Sequence, residues 1–410
     1  MAMADLVDWL EENDRPGNLW YVKRLSANDT LANNTHQAGP YVPKQFLFSV
    51  LPNLGRVDVK NPDVRFDLYV DSHADYRNVR AVYYNTKRRG EGTRDEARLT
   101  NFGGKESALL DPDSTGALTV FAFVPDLQGK QTCHVWLCGD PSQEDLVEER
   151  IGPVEPSQHV IWTPGVGRND QDLFSGPARN NCRLTEDEIP ADWLVRFPSG
   201  EDIIRRAVQL RSATGLNPDV RLMKRRNCEY EVFQSVEEAF FLPRIRSGFD
   251  SVEGFVGLAQ SILQSRKSRS GNSLELHARE IFIEEGLRPT HDFQFKPLIE
   301  NGKRPDFLFP SQVAYENSAF PVSRLRMLGA KTTVKDRWRQ VLNEADRISV
   351  KHLLTLQEGV SEGQFQEMQE AGVQLVVPTG LHDAFPPSVR PHLVSFESFI
   401  GDVRLLNISF

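Results

Sequence analysis

No apolar run in this sequence is long enough to cross a bilayer, and its start carries no signal-peptide pattern. The expectation is a chain that works in the cytoplasm with no membrane partner. Cysteine is scarce. Cys133, Cys138, Cys182 and Cys228 form no C-x-x-C pair or disulfide-like framework, which favours a reducing setting. The nine histidines are scattered, with no helical H-E-x-x-H, which argues against a structural zinc site. An excess of basic residues is missing too. The net charge of −9 argues mildly against a nucleic-acid partner, because neutralising phosphates takes lysine and arginine. Global charge judges poorly where basic residues cluster, and here they do.

What is present is an ordinary globular composition, 39% hydrophobic and 26% charged, over 410 residues. That length predicts two or three domains. Residues 1–150 read mainly as β. Val64, Phe66, Leu68 and Val70 alternate with polar neighbours, as in a half-buried strand. The stretches 79–84, 117–124 and 133–138 add strands, which suggests a small barrel or sandwich. From Gly139 to Asn181 the chain is rich in proline, glycine and asparagine, so a linker is placed at 151–182. Residues 183–410 turn helical and then α/β, ending in a β-α-β unit after Lys351. The fold class expected is therefore a multidomain α+β or α/β chain.

Several polar clusters admit two readings. Lys23 and Arg24 with His36 and Tyr41, and the stretch holding Arg94, Glu96 and Arg98, supply groups for phosphates and base edges. Solvated loops of mixed charge would look the same. The run Arg221 to Arg226, with Arg225 and Arg226 at its end, is equally a basic patch or a solvated face.

The stretch 305–346 carries the chemistry. Asp306 heads the apolar run Phe307-Leu308-Phe309, and Lys331 interrupts a second strand-like run. A helix is predicted over 335–346, with Trp338, Val341, Leu342, Ala345 and Ile348 as its core stripe and Glu344 beside it. Two carboxylates and a lysine so placed could hold a hard divalent cation beside a cationic group, which suits phosphodiester hydrolysis. The bland readings are a strand-start Asp306 and a Glu344 paired with Arg337 or Arg347. Glu275 also divides. Asn272-x-x-Glu275 fits a capping box at the start of a helix 273–285, or Glu275 supports the site as a further carboxylate.

These residues resemble the PD-(D/E)xK nuclease superfamily in a rearranged form. Gly329 stands where the orthodox pattern has an acid two residues before the lysine, and the acid comes from the next helix instead. The stretches 331–340, 343–346 and 273–277, together with 23–30 and 115–118, are similar to restriction endonucleases of the EcoRII type, type IIE. The resemblance covers most of the chain. It implies an N-terminal DNA-binding pseudobarrel that binds an effector copy of the site and restrains a C-terminal nuclease domain, which dimerises on double-stranded DNA. It further implies Asp306 and Glu344 as Mg²⁺ ligands, Lys331 as the group steadying the attacking water or the developing charge, and Glu275 as an accessory acid. Lys335, Asp336, Arg337 and Arg339 become DNA contacts, the last three reading C·G pairs. His36, Tyr41, Arg94, Glu96 and Arg98, with Lys23 and Arg24, become the effector-binding face, and Arg226 or Arg225 packs on a flipped base. Gly92 and Ala97 depart from the basic residues of the family pattern, which implies weaker effector binding. The site implied is 5′-CCWGG, cut before the first C. Two rivals stand beside it: a sequence-specific regulator whose nuclease fold no longer cuts, and a structure-selective repair nuclease.

Overall fold

The computed structural model describes residues 3–33, 39–126, 128–165, 167–169, 182–213, 215–335 and 337–407. It divides into two compact units, the first comprising residues 1–178 with 357–366 and 383–391, the second the remainder.

The first unit is built on one eight-stranded sheet. Its strands are β1 (Leu19–Arg24), β2 (Asp63–Val70), β3 (Asp75–Tyr84), β4 (Glu96–Thr100), β5 (Leu118–Pro125), β6 (Gln131–Leu137), β7 (His159–Thr163) and β8 (Gly167–Asn169). They run in the order β4-β3-β2-β6-β5-β1-β7-β8. Every neighbouring pair is antiparallel except β2 with β6. Helices α1 (Met3–Asn13), α2 (Lys44–Val50) and α3 (Pro141–Ile151) accompany it. The sheet curls as a pseudobarrel with apolar material on both faces, and β1 shows why. Trp20 and Val22 join a core with Trp9, Trp136 and Val147, while Tyr21 joins the opposite one with Phe46, Phe121 and Phe123. Alternation along the strand thus serves two cores, so β1 reads as a continuous apolar run rather than a clean period of two.

The linker expected at 151–182 is too long. β7 lies within it and pairs with β1 from Trp20–Trp162 to Lys23–His159. Turn residues on either side of a short strand conceal its pairing.

The second unit opens with α4 (Ala191–Val195), α5 (Gly200–Leu210), α6 (Pro218–Arg246) and α7 (Val252–Glu284). The basic run at 221–226 lies inside α6, which begins earlier than its apolar spacing suggested. A five-stranded sheet follows, ordered β13-β12-β11-β10-β9. Its strands are β9 (Gln294–Phe295), β10 (Phe307–Phe309), β11 (Arg326–Ala330), β12 (Lys351–Leu354) and β13 (Val373–Val376). The first three are mutually antiparallel and the last three parallel. Helices α8 (Gln312–Glu316) and α10 (Phe396–Asn407) complete the unit, and α9 (Glu362–Glu370), whose first five residues are counted with the first unit, falls between β12 and β13 in the chain. Phe282 of α7 packs its ring 5.1 Å from Phe307 and 5.4 Å from Phe309, locking that helix onto β10.

Cys182 and Cys228 are joined by a disulfide, which corrects the expectation that the four cysteines build no bridge. They stand 46 residues apart in sequence and meet only because α6 brings Cys228 back to the start of the unit. Cys133 and Cys138 are buried and outside that disulfide. Among the described residues no helix is long and apolar enough to cross a membrane.

Candidate functional site

Asp306 immediately precedes β10, and its Oδ2 accepts the backbone N–H of Ala330 in β11 at 2.8 Å. Lys331 leaves β11 with its own N–H donated to the carbonyl of Leu354 at 2.9 Å. Its Nζ stands 3.6 Å from Asp306 Oδ2. The sheet therefore delivers the first acid and the lysine to one place.

Strand alternation sets Gly329 and Lys331 on the same face. A Cβ at Gly329 would lie 2.8 Å from Val341 Cγ1, closer than any carbon contact allows, so Val341 fills the space that an acid there would need. Val341 belongs to a 3-10 turn, Arg337–Asn343, and not to the α-helix predicted over 335–346. Trp338, Val341, Ala345 and Ile348 are buried as expected, while Leu342, the fifth residue of the expected stripe, is only half-buried. Three residues per turn stack positions 338, 341 and 344 on one face, which carries Glu344 directly past Val341 toward the acids. Ala345, at φ 49, ends the turn in a left-handed conformation.

Glu344 Oε2 is buried and has no hydrogen-bond partner among the described residues. Burial, and then the charge of Asp306, push the Glu344 carboxyl up to about 7. Arg347, one of the salt-bridge partners considered for it, donates instead to the carbonyls of Asn317 and Phe320.

Glu275 lies deep in α7, which begins at Val252, so Asn272 is a helix-interior residue and the capping-box reading is overturned. Its side chain is 4% exposed and is likewise pushed up to about 7, by burial first and the Asp306 charge second. Glu275 and Glu344 thus both sense Asp306, and the site gathers three carboxylates and Lys331.

A hard cation fits the chemistry of these donors: all are carboxylate oxygens, and the orphaned Glu344 Oε2 gains from a positive partner. As they stand, no group of three or more His, Cys, Asp or Glu side chains among the described residues is set to hold a metal ion.

Two lysines here were not among the expected site residues. Lys296 donates to Glu275 Oε1 at 2.5 Å. Lys351, opening β12, donates from Nζ to the carbonyls of Glu344 and Ala345 at 2.5 and 2.7 Å. A lysine at the head of an apolar strand was the trace that Lys351 left.

The expected DNA-contacting residues divide. Lys335 and Arg337 are part-exposed, while exposed Arg339 pairs with Glu367 at 2.8 Å and lies 4.6 Å from the ring of Trp338. Asp336 and His36 lie outside the described residues. Arg225 is corrected: 1% exposed and donating to Glu284 and the carbonyls of Arg211 and Ser212, it has no open face for a base to pack on. Arg226, on the same helix, is buried.

In the first unit, Lys23, Tyr41, Glu96 and Arg98 line one cleft of about 730 Å³. Tyr41 is exposed, and Glu96 is bracketed by Arg98 at 3.0 Å and Arg94 at 3.4 Å. Lys23 is tied to Asp29 at 2.6 Å. Arg24 is also corrected. Its guanidinium is buried against α3, paired with Glu144 and Glu148 at 2.8 Å each and donating to Val154 O, so it holds the fold together.

The family follows from comparison with known proteins. A family model described as EcoRII C terminal matches residues 233–400, and one for the N-terminal part of restriction endonuclease EcoRII matches 14–166. The type II restriction enzyme EcoRII of Escherichia coli is 42% identical over 406 residues, covering 98% of each chain. This chain belongs to the EcoRII family of type II restriction enzymes. The family's two-domain architecture, a DNA-binding pseudobarrel followed by a nuclease domain, accounts for the two sheets. The type II restriction enzyme SsoII of Shigella sonnei is 26% identical over 250 residues, covering 55% of this chain and 74% of its own. Among solved structures, metal-depleted Ecl18kI in complex with uncleaved, modified DNA matches with a TM-score of 0.45 and 20% identity, over 56% of this chain and 88% of that one.

Proposed function

We propose that this protein is a Mg²⁺-dependent, type IIE restriction endonuclease that cuts double-stranded DNA at 5′-CCWGG before the first C. One observation carries the catalytic part: Glu344 arrives from the turn after β11 beside Asp306 and Lys331, where Gly329 has no acid to give. Asp306 and Glu344 would hold the cation, with Glu275 as accessory acid. Bound there, Mg²⁺ would stabilise charge on the phosphate and acidify a coordinated water. Lys331 steadies the developing charge and orients the attacking water. Water attacks in line with the departing 3′ oxygen, and no covalent enzyme adduct forms.

Lys335, Asp336, Arg337 and Arg339 contact the target, the arginines at guanine edges and Asp336 accepting from cytosine N4. Arg226 packs against a displaced central base. The effector copy lies along Lys23, His36, Tyr41, Arg94, Glu96 and Arg98, and the N-terminal domain restrains the nuclease until that copy binds. The working form is a homodimer through the catalytic domain, which suits a two-fold related site. Acting on DNA, it works in the bacterial or archaeal cytoplasm.

Digesting DNA of known sequence with Mg²⁺ and mapping the ends tests activity, site and cut position together. Fragments ending at 5′-CCWGG are expected. Breaks at branched or mismatched structures, or none at all, count against the proposal and for one of its rivals. For the restraint, residues 183–410 expressed alone should cut without effector DNA, and a folded but inactive fragment would sink that part.

A further inference from the structure

Lys296 follows β9 with φ 47, a left-handed backbone conformation that is strained for a residue with a Cβ. Glycine or asparagine would sit there more easily, so a lysine needs a reason. In this conformation its backbone N–H donates to the carbonyl of Asp306 at 2.9 Å. Its ammonium meanwhile reaches α7, 2.5 Å from Glu275 Oε1 and 3.4 Å from Asn272 Oδ1. Asn272 and Glu275 are three residues apart on a helix and so share a face. The same spacing that imitates a capping box supplies two acceptors for one lysine.

Lys296 therefore touches both acids at once, one through its backbone and the other through its side chain. It borders a cavity of about 580 Å³ that Asn272 and Glu275 also line. Arg269, in the same wall, is engaged with Glu229 at 2.8 Å.

We propose that Lys296 is a positioning residue of the nuclease: it holds the Glu275 carboxylate beside Asp306 and thereby sets how readily the acidic site takes up Mg²⁺. The inference rests on the nuclease reading above and deepens it.

The test uses the full chain with Lys296→Gly, which keeps the left-handed backbone and its hydrogen bond to Asp306 while deleting the ammonium. Lys296→Arg restores a cation, and Asp306→Ala serves as control. Plasmid cleavage is followed across a Mg²⁺ titration, and Mg²⁺ binding to the protein is measured by calorimetry. For Lys296→Gly, both midpoints should rise by about tenfold or more, as when a supporting group behind a metal ligand is lost. The rate should recover at saturating Mg²⁺, and Lys296→Arg should lie near the unaltered protein. Midpoints unchanged in Lys296→Gly overturn the proposal. So does a rate loss that neither Mg²⁺ nor arginine restores, which would mark a structural role alone. Cleavage by Asp306→Ala would instead defeat the nuclease assignment at Asp306, a failure distinguishable from the first two.

Discussion

Asp306 accepts the backbone N–H of Ala330 through Oδ2, which ties the acid before β10 to the last residue of β11. Asparagine at this position keeps an acceptor for that bond and loses only the charge. Asp306→Asn should therefore fold and melt no lower than the unaltered protein, since repulsion toward Glu275 and Glu344 is relieved. Cleavage should nevertheless fall about a thousandfold or more, several kcal/mol of lost charge stabilisation. Single-turnover cleavage and a melting curve check both halves, with gel-shift binding to the cognate site retained.

Lys351 predicts a different pattern. Its ammonium satisfies the carbonyls of Glu344 and Ala345, at the point where the chain turns left-handed. Lys351→Met would deprive the Glu344 carbonyl of its donor, at about 1–3 kcal/mol, while the Ala345 carbonyl keeps the N–H of Ile348 at 2.9 Å. Denaturant unfolding should report that loss. Cleavage should fall as well, because Glu344 is no longer held at the end of its turn.

His352 gives the molecule a pH dependence of stability. Its ring lies 5.0 Å from that of Phe399, and burial, then the positive Arg326, push it down to about 4. The unfolded chain holds this proton near the ordinary value of 6.5, so at His352 the unfolded state binds more protons than the native state, whereas Glu275 and Glu344, raised to about 7, do the reverse. The His352 contribution to stability should accordingly fall as pH drops from 6.5 toward 4, by up to about 1.4 kcal/mol per unit, against the opposite contribution of the two acids. His352→Leu should remove it, so the difference in urea unfolding free energy between the unaltered protein and the variant should change with pH across the interval. An unchanged slope would assign the pH dependence elsewhere.

Arg24 and Arg98 separate folding from recognition. Arg24→Met strands Glu144 and Glu148 in a buried setting and should cost about 3–5 kcal/mol. Arg98→Ala removes a half-exposed pair with Glu96 and should change stability by less than about 1 kcal/mol. Only the second should weaken effector binding in a protein that still melts normally. Comparing both variants by melting and by fluorescence anisotropy with an effector duplex settles the assignment.

The sequence made some of this legible and hid the rest for physical reasons. Strands β2, β3, β5 and β6 were readable because alternating or apolar runs end at clear turns. β7 was hidden because its pairing with β1 is long-range, while the residues around it signal only turns. The acids Asp306 and Glu344 and the lysine between them were visible by type and order. The turn that carries Glu344 was not, because the buried positions 338, 341, 345 and 348 follow a helical period although the segment Arg337–Asn343 winds at three residues per turn. Arg24 and Arg225 misled for the opposite reason: a basic cluster announces charge but not which acids wait for it in the fold. Glu275 could be seen as a carboxylate with two uses, and only the length of α7 removed the capping reading.

Gly329 has a consequence for how such sites change over generations. Its missing side chain is the room that Val341 occupies, so the glycine and the turn carrying Glu344 are two halves of one arrangement. A lone mutation restoring an acid at 329 collides with Val341, and a lone loss of Glu344 removes an acid without replacing it. On the reading proposed above neither step is useful by itself, so each of the two positions limits what the other can become.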